Sequence, residues 1–125
     1  MDVNLYSTVD FNISEIITML GNLSIYMYQF DTFVSENNLI LINNGEGIMG
    51  VEVLPNVDDT KAQLLANKAD WYDELIRKEI DSIEVLLEES SDLELQIKVG
   101  DKRYISKLPT LSNKLGELKV SYRYY

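Results

Sequence analysis

Apolar residues recur at helical spacing over one long stretch in the middle of the chain. From Leu65 to Leu87 they step by three or four positions, which places them on one face of a helix. This pattern predicts a helix from about Thr60 to Glu89, with Thr60 and Gln63 as a capping box. Such a helix extends about 45 Å. That length exceeds what a compact domain of this size needs, so either the helix spans one sheet fully or a partner covers part of its apolar stripe. We expect the partner, because the stripe is longer than one small sheet can cover.

Strictly alternating apolar and polar positions follow this helix. The alternation covers residues 93–99, and Gly100-Asp101 suits a two-residue turn before a return strand over 102–108. These residues therefore predict a β-hairpin, and a further strand is predicted after Gly116. Upstream, the apolar runs on either side of Asn43-Asn44-Gly45 predict another hairpin, because Asn-Gly between such runs is typical of a hairpin turn.

The first 36 residues fit two interpretations. Apolar steps of three and four from Ile16 to Val34 are helical, whereas Gly21-Asn22 is typical of a helix stop and the residues after it suit a strand. We predict a short helix over residues 14–20 and leave 22–36 open between helix and strand. Together the elements predict an α+β fold, in which one long amphipathic helix packs on an antiparallel sheet of hairpins, with a short N-terminal helix.

The composition limits the chemistry that the chain can perform. Its 125 residues are consistent with a single domain, and it contains neither Cys nor His. Thiolate chemistry and disulfides are therefore excluded, and acid–base catalysis would fall to Asp, Glu, Lys or Tyr. We expect a non-enzymatic protein without cofactor or metal. No signal peptide or membrane-spanning stretch is recognised, so a cytoplasmic location is expected.

Charge is distributed unevenly along the chain. The net charge is −10, yet residues 1–60 carry nine acids and no base, residues 61–95 a net −6, and residues 96–125 a net +5. The single domain therefore divides into an acidic part (1–57), the long helix (58–90) and a basic C-terminal part (91–125). The acidic front and basic tail could satisfy each other within one molecule or between neighbouring copies.

Three sequence motifs have structural explanations. Residues 45–50 match G-x-G-x-x-G, but a predicted strand follows where a dinucleotide site needs a helix, so we interpret them as a hairpin tip. Asp58-Asp59 suit the positive end of the long helix better than a divalent metal site. The acids within 88–92 fall at its predicted C-terminus, where either solvent or a basic partner would surround them.

The order of elements over residues 39–125 resembles that of the small wedge proteins of contractile phage baseplates: a glycine-containing hairpin, a long helix, a second hairpin and a final strand. The resemblance rests on element order alone. Leu87-Glu88-Glu89-Ser90 stands where that family has a Glu-Pro-Arg-Ile-like segment, so no residue role is transferred.

These observations favour a subunit that works by protein–protein interaction or assembly, for example a viral or phage structural component of a virion or tail, in the host cytoplasm or the virion. Its partner is expected to be protein, in a homo- or hetero-oligomer, because the acidic charge disfavours nucleic acid. The alternative is an acidic inhibitor, such as an anti-defence protein, that binds a basic nucleic-acid-binding surface of a host protein. The interface candidates are the following aromatic, basic and apolar residues: Trp71, Tyr72, Leu75, Tyr122, Arg123, Tyr124 and Tyr125.

Overall fold

The computed structural model describes residues 3–43, 48–52, 57–100 and 103–122. Three helices make up most of these residues: α1 (Val3–Glu36), α2 (Asp59–Gly100) and α3 (Leu108–Tyr122). Two short strands, β1 (Ile40–Asn43) and β2 (Ile48–Glu52), lie between α1 and α2 and pair antiparallel. The predicted α+β fold is therefore wrong. The described residues are almost entirely helical, and the only sheet among them is the two-stranded β1–β2 hairpin, which is too small to be the layer on which α2 packs.

Helices α1 and α2 run antiparallel over most of their length. Phe33 near the end of α1 contacts Tyr72 near the start of α2, with ring centroids 5.5 Å apart. Tyr6 at the opposite end of α1 meets Tyr104, just beyond α2, at 6.0 Å. Helix α3 returns along both, so that Tyr122 in its last turn lies 6.1 Å from the ring of Phe30. The result is a three-helix bundle in which α3 is the short member.

Each helix contributes an apolar stripe to one common core. The Leu65–Leu87 stripe of α2 faces this core, so α1 and α3 cover it and no second polypeptide is needed to bury it. The expectation that the stripe requires a partner is wrong, because the prediction counted only a small sheet as its cover. The buried apolar residues are Val9, Ile13, Ile16, Leu20, Leu23, Phe30, Phe33, Leu39, Ala69, Ile76, Ile80, Ile83, Ile97, Leu108, Leu115 and Tyr122.

Helix α1 extends through the position where a stop was expected. Gly21-Asn22 lies in its interior, and residues 22–36 are helical. The helix ends instead at Asn37 and Asn38, where Asn38 adopts a positive φ of 52°. The Leu39 amide then donates to the Val34 carbonyl at 3.0 Å, and the Asn38 amide to Ser35 at 3.3 Å. These two bonds are the Schellman pattern, in which Asn can replace Gly.

The start of α2 was predicted to within one residue, but its cap was assigned to the wrong side chain. The Lys61 amide donates to Asp58 Oδ1 at 2.8 Å, and the Ala62 amide to the Asp58 carbonyl at 2.9 Å. Asp58 is therefore the N-cap residue, and its negative charge also interacts favourably with the positive end of the helix dipole. The predicted capping box is wrong, because the side-chain amide of Gln63 instead donates to the side-chain oxygen of Asn67 within the helix.

The hairpin predicted over residues 93–108 is wrong, because α2 continues to Gly100. The segment reads equally well at helical spacing, since Ser90, Glu94 and Ile97 extend the buried face of α2. Leu95, which a strand would have buried beside Leu93, is 61% exposed. Period-two alternation over so few residues therefore did not discriminate a strand from a helix.

The final predicted strand is also helical. Leu108, Leu111, Leu115, Leu118 and Tyr122 step by three and four and face the core, whereas Val120 is exposed. Pro109 lies in the first turn, where a missing amide has no cost. Gly116, expected to precede a strand, lies inside α3.

The element order that resembles phage baseplate wedge proteins is not observed, because no strand follows α2 among the described residues. The resemblance therefore gives no support to a viral or structural role.

Candidate functional site

A polar contact joins the end of α3 to the first third of α2. The Tyr122 hydroxyl donates to Asp73 Oδ1, and the same carboxylate accepts from Arg77 Nε at 3.0 and 3.2 Å. Tyr122 is only 7% exposed. Burial, and then the bond to Asp73, raise the pKa of the Tyr122 hydroxyl above its usual range. All of these groups are used in holding α3 against α2, so the arrangement is a structural joint.

A second joint connects α2 to the segment that precedes α3. Glu94 is buried, and its carboxylate accepts hydrogen bonds from the hydroxyls of Tyr104 and Ser106. Ser106 Oγ in turn accepts a hydrogen bond from the backbone amide of Leu108, the first residue of α3, at 3.1 Å. Burial and the Glu94 contact raise the pKa of Tyr104. This carboxylate orients the turn between two helices, and it also lines a shallow depression of about 370 Å³ together with Ser91 and Ser112.

A lysine of the basic C-terminal part forms an ion pair with an acid of the long helix. Lys119 Nζ on α3 lies 2.8 Å from Glu84 Oε1 on α2. Both side chains are partly exposed, so this pair contributes little to stability on its own. It shows that one positive charge of the basic C-terminal part is paired with α2 in the same chain.

One end of the bundle concentrates exposed apolar side chains. We call it the hairpin-end surface and define it by six exposed residues at the end of α1, in β1 and at the start of α2. Trp71 is 54% exposed, and Leu64, seven residues earlier on the same face of α2, is 64% exposed. Tyr28 in α1 is 73% exposed. The six residues are Tyr28, Ile40, Leu41, Ile42, Leu64 and Trp71.

A shallow depression of about 310 Å³ lies between α1 and α2 at this end. Its wall contains the aromatic rings of Tyr28, Phe33 and Tyr72, and Lys68 Nζ sits 5.3 Å from the Phe33 ring centroid. The Trp71 ring packs edge-on to Tyr72 at 5.0 Å. Open shape and aromatic walls suit the side chains of a protein partner better than a small substrate, which needs an enclosing pocket.

The sequence-predicted interface residues are dispersed in the structure. Trp71 is exposed, Tyr72 and Leu75 are half-buried, and Tyr122 is buried in the joint with Asp73. Residues 123–125 lie outside the described part of the chain. Only Trp71 among the described candidates thus belongs to the hairpin-end surface. Tyr28 and Leu64 were not identified, because each occupies a helical position whose exposure depends on how α1 and α2 face each other.

The structure places the described residues of the motifs identified in the sequence in the hairpin and in or beside α2. Strand β2 begins at Ile48, and residues 45–47 of the glycine-rich segment lie outside the described residues. The acids of 88–92 lie inside α2 rather than at its end, because the helix continues to Gly100. No group of three or more acidic side chains that could hold a metal ion occurs within the described ranges. None of the helices described is sufficiently long and apolar to span a bilayer.

In comparisons with protein-family models, curated proteins and solved structures, no significant match to this chain was found.

Proposed function

We propose that this chain is a non-enzymatic, helical interaction module that binds a partner protein through the hairpin-end surface. The observation that supports the proposal is the exposure of Trp71, Leu64, Tyr28 and the apolar side chains of β1, all on elements at the same end of the antiparallel pair of α1 and α2. Contiguous exposed apolar patches on small proteins are typical of binding sites, and Trp and Tyr are the residues most often found at their energetic centres. The other exposed apolar residues are spread over the outer faces of the helices and residue 105.

The helical bundle holds Trp71 in a fixed position. Trp71 lies on a continuous helix whose first turn is capped by Asp58. The Trp71 ring packs against the ring of Tyr72. Tyr72 in turn stacks on Phe30 at 5.6 Å. An anchor held by a rigid helix loses little conformational entropy on binding. The proposal includes a cytoplasmic location, which the lack of cysteine favours.

The experiment is a comparative affinity capture from cells that express the chain. The baits are the wild type, the double variant Leu64→Ala/Trp71→Ala, and the matched control Phe11→Ala/Val120→Ala, which removes exposed apolar residues elsewhere. A partner retained by the wild type and the control but lost by the double variant supports the proposal. With the purified proteins, the double variant should bind this partner more weakly than the wild type, by about 2 kcal/mol or more in binding free energy, as for an aromatic hot spot. Equal loss with the control, or no partner above the tag alone, overturns the proposal.

The alternative function is an acidic inhibitor of a nucleic-acid-binding protein. Four exposed acids on α1 and the absence of any base in that helix favour it: Asp10, Glu15, Asp31 and Glu36. Competition distinguishes the two functions. Double-stranded DNA should displace this chain from a partner if the chain occupies a nucleic-acid groove, and it should have no effect if the partner contact is unrelated to that groove.

A further inference from the structure

Strand β1 leaves apolar surface exposed on both of its faces, with Ile40 59%, Leu41 37% and Ile42 39% exposed. Side chains alternate between the two faces of a strand, yet Ile40, Leu41 and Ile42 are all exposed. Strand β2 pairs with β1, with Ile40 opposite Glu52, and β2 is the strand that lies against α2. The outer edge of β1 therefore has no strand beside it among the described residues.

This edge lacks most of the features that prevent strand addition. Proteins commonly protect an edge strand with a charged residue, a proline or a bulge. Strand β1 contains only Ile40, Leu41, Ile42 and Asn43, with neither charge nor proline. Its register shift falls between Ile42 and Asn43, so three consecutive residues before it remain regular. Although β1 is short, its neutral, apolar edge is suited to β-augmentation by an extended peptide.

Charge selects the peptide that would fit. Residues 31–70, which contain the hairpin and its flanking helix ends, carry seven acids and two bases, a net −5. Glu52 stands across the strand pair from Ile40, and Glu36 and Asp59 are exposed at the adjoining helix ends. A basic strand would be attracted to this region, whereas a second copy would bring the same negative charge to the edge.

We propose that the outer edge of β1 receives an extended segment of the partner protein in which Lys or Arg alternates with apolar residues. This inference rests on the proposed function and specifies the partner's chemistry. The main-chain groups of β1 would provide the hydrogen bonds, and the surrounding carboxylates would attract the basic side chains.

The test uses the full chain labelled with ¹⁵N and the synthetic peptide acetyl-KVKVKVK-amide. Binding should slow the hydrogen exchange of amides in β1 and should weaken as salt is added. Two further peptides separate the contributions: one with Glu in place of each Lys, and one in which every residue is N-methylated, so that neither of its edges can donate to the ladder. Both should lose at least tenfold in affinity. If the N-methylated peptide binds as well as its parent, or protection appears away from β1, the inference is wrong.

Two variants complete the experiment. Leu41→Lys places a like charge on the edge and should lower peptide affinity at least tenfold, whereas the control Val120→Lys adds the same charge on exposed α3 and should change it less than twofold. A wild-type chain that dimerises through β1 without peptide would overturn the choice of occupant. If peptide binding fails while partner capture still depends on Leu64 and Trp71, this inference falls and the proposed function stands.

Discussion

The hydroxyl of Tyr122 donates a hydrogen bond to the carboxylate of Asp73, which lies 49 residues earlier in the chain. This contact fixes where α3 ends along α2, and it explains why a residue expected at an interface is buried. A hydrogen bond to a charged acceptor contributes about 1.5–3 kcal/mol. Tyr122→Phe should lower the free energy of unfolding by about that amount at pH 7, measured by urea denaturation.

The same variant has a defined pH signature. Because the folded-state pKa of Tyr122 is raised, the associated stability is present below about pH 10, the value for an unfolded tyrosine, and is lost as the pH rises further. The wild type should therefore lose stability above that pH more steeply than Tyr122→Phe. Parallel alkaline profiles for the two proteins would contradict the assignment.

Glu94 should be required for the turn between α2 and α3. Glu94→Ala leaves the hydroxyls of Tyr104 and Ser106 without their acceptor, and a buried unpaired polar group costs about 1–3 kcal/mol. Glu94→Gln keeps an acceptor oxygen and should lose less. Hydrogen exchange should report faster opening of α3 in Glu94→Ala, and equal exchange in α3 for the variant and wild type would show that the joint has no such role.

The glycines inside the helices should be replaceable with a gain in stability. A Cβ added at Gly21 or Gly116 meets no atom within 4 Å. Gly is less favourable than Ala in a helix interior by about 0.5–1 kcal/mol. Gly21→Ala and Gly116→Ala should each raise the melting temperature, and Gly21→Pro should lower it strongly. A destabilising Gly21→Ala would instead indicate that α1 is interrupted there.

The N-cap assignment predicts a difference between two neighbouring residues. Asp58→Ala removes the acceptor of the Lys61 amide and should cost about 1 kcal/mol, within the usual range for caps. Thr60→Ala should change stability by less than 0.5 kcal/mol, as is usual for exposed positions without a special contact. Chemical denaturation of the two variants measures both values, and the reverse order would restore Thr60 as the cap.

Glu79 should oppose folding at neutral pH. Burial raises the pKa of its carboxyl group, so the folded protein holds this proton more tightly than the unfolded chain. The favourable contribution is present below about pH 4.3, the unfolded value, and is lost as the pH rises through the folded pKa. Glu79→Gln should therefore be more stable than the wild type at pH 7 and similar at pH 4. Glu88→Gln, on the exposed side of α2, controls for the change in net charge.

The start and stripe of α2 could be predicted from sequence because Leu65 to Leu87 form a long helical pattern with a capping signal before it. The C-terminal third could not. Leu93, Leu95 and Ile97 satisfy a two-residue period, while Glu94 and Ile97 also satisfy the helical one. What decides between them is the burial of Glu94 by hydroxyls 10 and 12 residues later, a contact that exists only after α3 has folded back.

Only one residue of the hairpin-end surface, Trp71, was predicted from the sequence, and the reason is similar. A tryptophan on a helix flank is a sound guess for an interface, but the exposure of Tyr28 and Leu64 depends on how α1 and α2 face each other. No local pattern contains that angle, since both residues would equally suit a core.

The antiparallel contact of α1 with α2 also determines the order in which the chain can assemble. Phe33 and Tyr72 are 39 positions apart, whereas Tyr6 and Tyr104 are 98 apart. Closing the longer loop first would cost about 0.8 kcal/mol more in chain entropy, with larger loops closing more slowly. Contacts between α1 and α2 should therefore form first beside the β-hairpin and then spread towards the N-terminus of α1. The end at which Tyr6 meets Tyr104 should be the first to separate.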